Sequence, residues 1–129
     1  MLNFDKWLSK QLFVPSYHLN ENKINSFTRN GIPYGPVFID AKVGLNDHIK
    51  IRHLHKLNFK SITTNIQFKK RISSKIYEKK NCRFANSKDK IIVKKIAYNS
   101  FINSRFHLDK RFPKKIAKKL KSEWVNNYF

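Results

Sequence analysis

The sequence predicts a mixed α and β chain (α+β or α/β) in two parts. A strand–helix–strand module lies within residues 1–70, and a short strand followed by two helices lies within residues 81–129. Three observations carry this. Val37, Ile39, Ala41 and Val43 alternate with Phe38, Asp40 and Lys42, the period of a strand. Ile92, Val93, Ile96, Ala97, Ser100 and Phe101 recur at helical spacing, as do Ile116, Ala117, Leu120, Trp124 and Tyr128. Between the two parts, Lys69, Lys70, Arg71, Lys75, Lys79 and Lys80 surround few apolar side chains and a Ser73-Ser74 pair. Residues 71–80 therefore read as a solvated basic linker.

Taken in order, Asn3 is placed to cap a short helix with Phe4, Trp7, Leu8 and Leu12 on one stripe, and Pro15 ends it. Residues 16–36 read as loop, rich in Asn and then in Gly31, Pro33, Gly35 and Pro36. They lack the spacing of a nucleotide-binding glycine fingerprint. The strand at 37–43 follows. Asn46 is placed to cap the next helix, with Asp47 at its positive end and Ile49, Ile51, Leu54 and Leu57 on its apolar side. Asn58 suits the left-handed residue that ends a helix. Residues 59–68, with Ile62, Thr64, Ile66 and Phe68 on one face, predict a second strand parallel to the first.

In the second part, residues 81–85 read as a short strand. Ser87 is placed to cap a helix running to about Ile102, with Lys94 and Lys95 turned away from its apolar face. Residues 104–112 form a polar loop. Pro113 fits the first turn of the last helix, where a missing N–H is no loss. Lys114, Lys115, Lys118, Lys119 and Lys121 cover the rest of that helix, and the chain has no internal repeat or heptad seam.

Composition bounds the function classes. With 40% hydrophobic residues in 129, the chain carries enough apolar surface for a core. Its 28 Lys+Arg against 8 Asp+Glu give a net charge of +20. Two accounts of that charge stay open. Lysines and arginines displace counterions from phosphates. Yet 22 of the 28 are Lys, and Asn and Ile number 14 each, the usage of an AT-rich genome. A basic pocket for an anionic sugar nucleotide is a third account. One cysteine, Cys82, excludes an internal disulfide, and no Cys/His spacing resembles a zinc site. The N-terminal residues are interrupted by Asp5, Lys6 and Lys10, so they do not form a signal peptide, and no apolar run reaches membrane-spanning length. A cytoplasmic location is the expectation.

Candidate chemistry is sparse. His48, His53 and His55 lie on or near one helix with no Cys or acidic cluster to complete a metal site, and read as surface residues. Cys82 beside Arg83 lacks a base. Asp40 and Asp47 are too isolated in the sequence to form a carboxylate pair. No catalytic residue and no metal ligand is assigned.

The wording of the second part is more specific. Arg83-Phe84-Ala85, Ser87-Lys88-Asp89-Lys90, Ile96-Ala97, the run from Phe101 through Asp109, and Glu123-Trp124-Val125 resemble the opening of a GNAT acetyltransferase domain of the dTDP-fucosamine acetyltransferase family. The Ser104-Arg105-Phe106-His107-Leu108-Asp109 stretch is the most specific portion. Residues 37–43, Leu57-Asn58-Phe59-Lys60 and Thr64-Asn65-Ile66-Gln67-Phe68 are similar to that family's N-terminal module, with Asn58 where Gly is usual.

The resemblance covers about residues 37–129. It implies transfer of acetyl from acetyl-CoA to the amine of a dTDP-linked amino sugar. The family holds the coenzyme on a later strand, Gly-rich turn and helix. The three glycines here, Gly31, Gly35 and Gly44, all precede the second part. The expectation is therefore the N-terminal portion of such an enzyme, without its coenzyme-binding half and inactive alone. Substrate-binding residues implied by the resemblance are Ser104, Arg105, His107 and Asp109. Arg105 would hold a phosphate, Asp109 a sugar hydroxyl or protonated amine, and His107 would donate or accept near neutral pH. Read without the resemblance, Arg105 and Asp109 pair with each other or cap the last helix.

The implied partners are a dTDP-amino sugar and, because the apolar helix faces need cover, a second copy or a separately encoded C-terminal half. The alternative class is a small basic nucleic-acid-binding protein whose aromatics stack on bases.

Overall fold

The computed structural model describes residues 1–71 and 82–129; residues 72–80 of the expected linker, and Asn81, lie outside the described residues. The architecture is α+β, with one three-stranded mixed sheet and packed helices. The chain divides into two compact units, Met1–Ser61 and Ile62–Phe129. Among the described residues, no helix is long and apolar enough to cross a membrane.

The first unit runs β1 (Leu2–Phe4), α1 (Lys6–Leu12), β2 (Ser16–Leu19), β3 (Phe38–Ala41) and α2 (His48–Lys56), with short 3-10 turns at Glu21–Lys23 and Arg29–Gly31. Asp5, not Asn3, caps α1: its Oδ1 accepts the Leu8 N–H at 2.7 Å, because Asn3 is taken up by β1. Phe4 accordingly leaves the helical stripe and packs its ring 5.5 Å from that of Tyr17. Phe13 closes α1 in the left-handed region, at φ 59°.

Sheet order is β1-β2-β3. β1 runs antiparallel to β2, with Asn3 opposite His18, and β2 runs parallel to β3, with His18 opposite Asp40. The expected strand at 37–43 is present as β3. Its parallel partner is β2, out of the segment read as loop, and not residues 59–68. Residues 59–68 carry no strand, and of the side chains meant for a buried face Thr64, Ile66 and Phe68 are exposed while Ile62 is half-buried. β2 is too short to show a period, yet both its ends are buried, Ser16 and Leu19.

The core of this unit is Leu19, Ile24, Phe27 and Leu54, joined by Leu2, Ile32, Ile39, Ala41, Val43, Leu57 and Phe59. Phe27 is fully buried, edge-on to Phe59 at 6.5 Å. α2 delivers Leu54 to this core. Its cap is Asp47, whose Oδ1 accepts the Lys50 N–H at 3.1 Å, one residue beyond Asn46. Asn58 ends the helix at φ 67°, the left-handed conformation its position predicts.

Gly31 lies under the Phe27 ring, and a Cβ there would stand 2.9 Å from Phe27 Cε2. A buried ring cannot swing away, so Gly31→Ala is expected to destabilise this unit by about 1–3 kcal/mol. A lower urea midpoint with an unchanged slope would check it.

The second unit contains α3 (Lys90–Ser100), α4 (Arg105–Leu108) and α5 (Lys114–Asn126), preceded by a 3-10 turn at Ser87–Asp89. The turn is closed by a capping box. Asn86, not Ser87, accepts the Lys88 N–H at 3.0 Å, and Asp89 accepts the Asn86 N–H at 2.9 Å. Arg83 donates to both oxygens of Asp89 at 2.7 and 2.8 Å, and this holds that carboxyl well below the usual range. The expected strand at 81–85 does not form over its described residues: Phe84 is exposed and Arg83 is committed to Asp89. Pro113 stands at the N-cap of α5.

α3 packs along α5, and α4 packs on α5. Ala97, Phe106, Ala117 and Leu120 are buried. Small residues on both helices, Ala97 and Ala117, let the two axes approach closely. The contact face of α3 is turned from the expected one, leaving Ile91, Ile92 and Ile96 exposed. Lys94, expected to point away, is brought toward α5, and its Nζ lies 3.1 Å from Glu123 Oε1.

Candidate functional site

The segment joining α3 to α5 carries the four residues singled out in the sequence. Its one-turn helix, α4, starts at Ser104, whose hydroxyl lies 2.7 Å from His107 Nδ1. The other ring nitrogen, Nε2, is buried without a hydrogen-bond partner among the described residues. Asp109 is 6% exposed. It accepts the Arg111 backbone N–H at 3.0 Å and is gripped by the Arg111 guanidinium at 2.6–3.1 Å. Arg105 lays its guanidinium 4.8 Å from the centre of the Phe106 ring, and Phe106 is edge-on to Phe112 at 5.4 Å. Ser104 and His107 are thus brought together, while the oxygens of Asp109 face Arg111 and its carboxylate fixes the loop.

α5 supplies cations that the sequence reading left on a solvated face. Lys118 Nζ sits 5.4 Å from the ring centre of Tyr98 on α3. Lys121 Nζ sits 5.1 Å from that of Phe101 and 4.6 Å from that of Trp124. These contacts place both lysines on the flank of α5 that meets the C-terminal half of α3. The electrostatics record the crowding. Burial holds the Lys121 ammonium below the ordinary lysine value, and the Arg105 charge adds to this. Burial, then the Lys121 and Lys118 charges, lowers the pKa of His107. The signal was present in the sequence, since 118 and 121 are one helical turn apart beside Leu120. What it lacked was the position of α4.

The sign of the His107 shift gives a pH expectation. A histidine depressed in the folded state binds protons more readily when unfolded. Its contribution is therefore complete above the ordinary value of 6.5 and is lost as pH falls through 6.5 toward the folded value. Thermal melts of the 129-residue chain between neutral and mildly acidic pH are expected to fall, and to fall less in His107→Gln.

A second constellation lies in the first unit. His18 on β2 places Nε2 2.9 Å from Asp5 Oδ2 and Nδ1 in short contact with Asp40 Oδ1. Asp40, read as isolated, is therefore part of a cluster. The sequence hides it because positions 5, 18 and 40 meet only through the register of the sheet. Both ring nitrogens are engaged, so neither is open to a metal or a substrate. His53 Nε2 is 2.8 Å from the Phe27 carbonyl, and His55 Nε2 is 3.1 Å from Ser61 Oγ. Among the described residues, no group of three His, Cys, Asp or Glu could hold a metal ion.

Two of the three glycines lie where an anion would meet an obstacle. Gly31 is packed on Phe27. Gly44 precedes α2, but at that helix start Asp47 already accepts the Lys50 N–H and adds a negative charge. Comparison with known protein families, with curated proteins and with solved structures finds no match.

Proposed function

We propose that residues 82–129 supply part of the acceptor-binding side of a GNAT-type N-acetyltransferase of the dTDP-fucosamine acetyltransferase kind, acting on the amine of a nucleotide-linked amino sugar. The observation that carries the reading is the α3–α4–α5 unit itself. The Ser-Arg-Phe-His-Leu-Asp stretch at 104–109, the most specific portion of the resemblance, is folded onto α5 and held by its own side chains: Ser104 on His107, and Asp109 on Arg111. A loop fixed in this way loses little entropy when it takes a ligand. In this reading Arg105 meets a phosphate, Ser104 and His107 face the sugar, and Asp109 keeps the loop in shape.

Saturation-transfer NMR with dTDP-4-amino-4,6-dideoxygalactose tests it. Saturation is expected at the amino-sugar protons, with Arg105→Ala weakening binding about tenfold, the loss of one charge-assisted contact. No transfer to the sugar protons, with the bare nucleotide bound equally well, would sink the reading.

A second reading, nucleic-acid binding, is favoured by charge. Residues 82–129 hold 13 Lys and Arg against three carboxylates. Each carboxylate is already paired: Asp89 with Arg83, Asp109 with Arg111, and Glu123 with Lys94. Exposed Trp124 and Tyr128 offer stacking faces. This reading requires that log affinity for single strands fall with log salt at a slope of about −0.7 per phosphate neutralised.

A further inference from the structure

Residues 62–68 carry the pattern of a strand and none of its bonds. They form neither strand nor helix; residues 63–68 are exposed and Ile62 is half-buried. Residues 61–68 hold no charge, no Gly and no Pro, in a chain that is 28% charged, so nothing within the run repels a second strand. Among the described residues, no backbone N–H or C=O of this run makes a hydrogen bond. Unpaired backbone beside Ile, Thr and Phe side chains suits pairing with another strand. The run also leaves from a fixed point: Phe59 is edge-on to Phe27, and Ser61 Oγ lies 3.1 Å from His55 Nε2.

We infer that residues 62–68 are a self-association strand, pairing antiparallel with residues 62–68 of a second copy about a two-fold axis at Asn65. The segment itself selects this partner and this register. With Asn65 opposite Asn65, Ile62 meets Phe68 and Thr64 meets Ile66 on one face, each pair twice, and Thr63 meets Gln67 on the other. A slip of one residue sets every apolar side chain against a polar one. A slip of two sets Ile62 opposite Lys70, or Phe68 opposite Lys60. A parallel in-register pair also matches like with like, but it brings Lys60, Lys69, Lys70 and Arg71 each against its own copy. The antiparallel pair leaves only Lys60 opposite Lys70, twice.

These basic flanks set the strength and the extent of pairing. A two-stranded ribbon is marginal in water, and a seven-residue strand buries less than a standard interface, so the dimer is weak at low salt. Screening of Lys60 and Lys70 strengthens it as salt rises. Nucleic-acid binding has the opposite sign, because counterion release weakens it as salt rises. Each further copy would bring four more positive charges to the same ribbon, so pairing is expected to end at two. The inference stands apart from the acceptor reading, which uses residues 104–109.

The test is sedimentation equilibrium of the full 129-residue chain at low and high salt, across about 10 µM to 1 mM, the range of weak complexes. A monomer–dimer equilibrium that tightens with salt is expected. Ile66→Lys is expected to weaken it about tenfold, while Gln67→Lys adds the same charge on the other face and should weaken it far less. Both positions are exposed, so the fold should survive, and circular dichroism checks it. In a Cys82→Ser background, Asn65→Cys sets two thiols opposite each other at a separation a disulfide can span. Mild oxidation is expected to link this variant several-fold faster than Thr63→Cys or Gln67→Cys. Equal rates at the three positions would mean parallel pairing and overturn the register. Association unchanged in Ile66→Lys would assign it to another surface, such as exposed Ile91, Ile92 and Ile96 of α3, and overturn the proposal. Association lost in Ile66→Lys, with no disulfide at Asn65→Cys, would place the segment on a different edge and equally overturn it. So would a monomer throughout the range.

Discussion

Phe27→Ala is expected to remove most of the stability of the first unit. The side chain is wholly buried and sits at the centre of the cluster with Leu19, Ile24 and Leu54, edge-on to Phe59 and against Gly31. Truncating a buried Phe costs about 3–5 kcal/mol, the sum of lost transfer free energy and an unfilled cavity. Against this, a unit of 61 residues holds on the order of 3–9 kcal/mol in total. Collapse into the cavity is hindered on two sides. The Phe27 carbonyl is tied to His53 Nε2 at 2.8 Å, and Ile24 is itself fully buried. Trp7 on α1 reports on this unit, so chemical denaturation followed by its fluorescence in a Trp124→Phe background is the measurement. A midpoint close to the parent's would mean that the cluster around Phe27 is not the core that holds the sheet.

Which parts of this molecule were legible in the sequence follows from what each element depends on. β3, α3 and α5 were readable because their apolar spacing persists over several residues, and Asn58 because a helix end needs a left-handed residue. β2 was not, since four residues between Pro15 and Asn20 carry no period and its parallel partner, β3, begins only at Phe38. Residues 59–68 show the opposite failure. Their alternation is real, but a strand forms only beside a partner with a face to bury, and Ile66 and Phe68 find none among the described residues. Caps were placed one or two residues away from the true ones at Asn3, Asn46 and Ser87, where a neighbouring Asp or Asn had the better geometry. The stretch at 104–109 was singled out by wording, and where residues 104–112 were expected to be loop the structure folds Arg105–Leu108 into the one-turn helix α4. The lysines that complete its electrostatics, Lys118 and Lys121, were not singled out, because their meaning lies in where α4 docks.

The second unit has a smaller core, and Leu120→Ala is expected to undo it. Leu120 is 3% exposed and shares the interior with Ala97, Phe106 and Ala117, so it is the largest aliphatic side chain buried there among the described residues. Leu→Ala substitutions in cores cost about 2–5 kcal/mol, toward the upper end where the surroundings cannot close in. Here two of the residues that share the interior are alanines, which have no side chain to move into the gap. α4 would lose its seat through Phe106, and with it the burial that, with the Lys121 and Lys118 charges, lowers the pKa of His107. The expected result is therefore double: an early unfolding transition by Trp124 fluorescence, and a His107 titration midpoint that returns to the ordinary value even before the transition is complete. Leu120→Met, which conserves volume, should cost less than about 1.5 kcal/mol and leave the midpoint depressed. If Leu120→Ala lowers stability while the His107 midpoint stays low, α4 is held by its own hydrogen bonds at Ser104 and Asp109, and the loop is a more autonomous element than its packing on α5 implies.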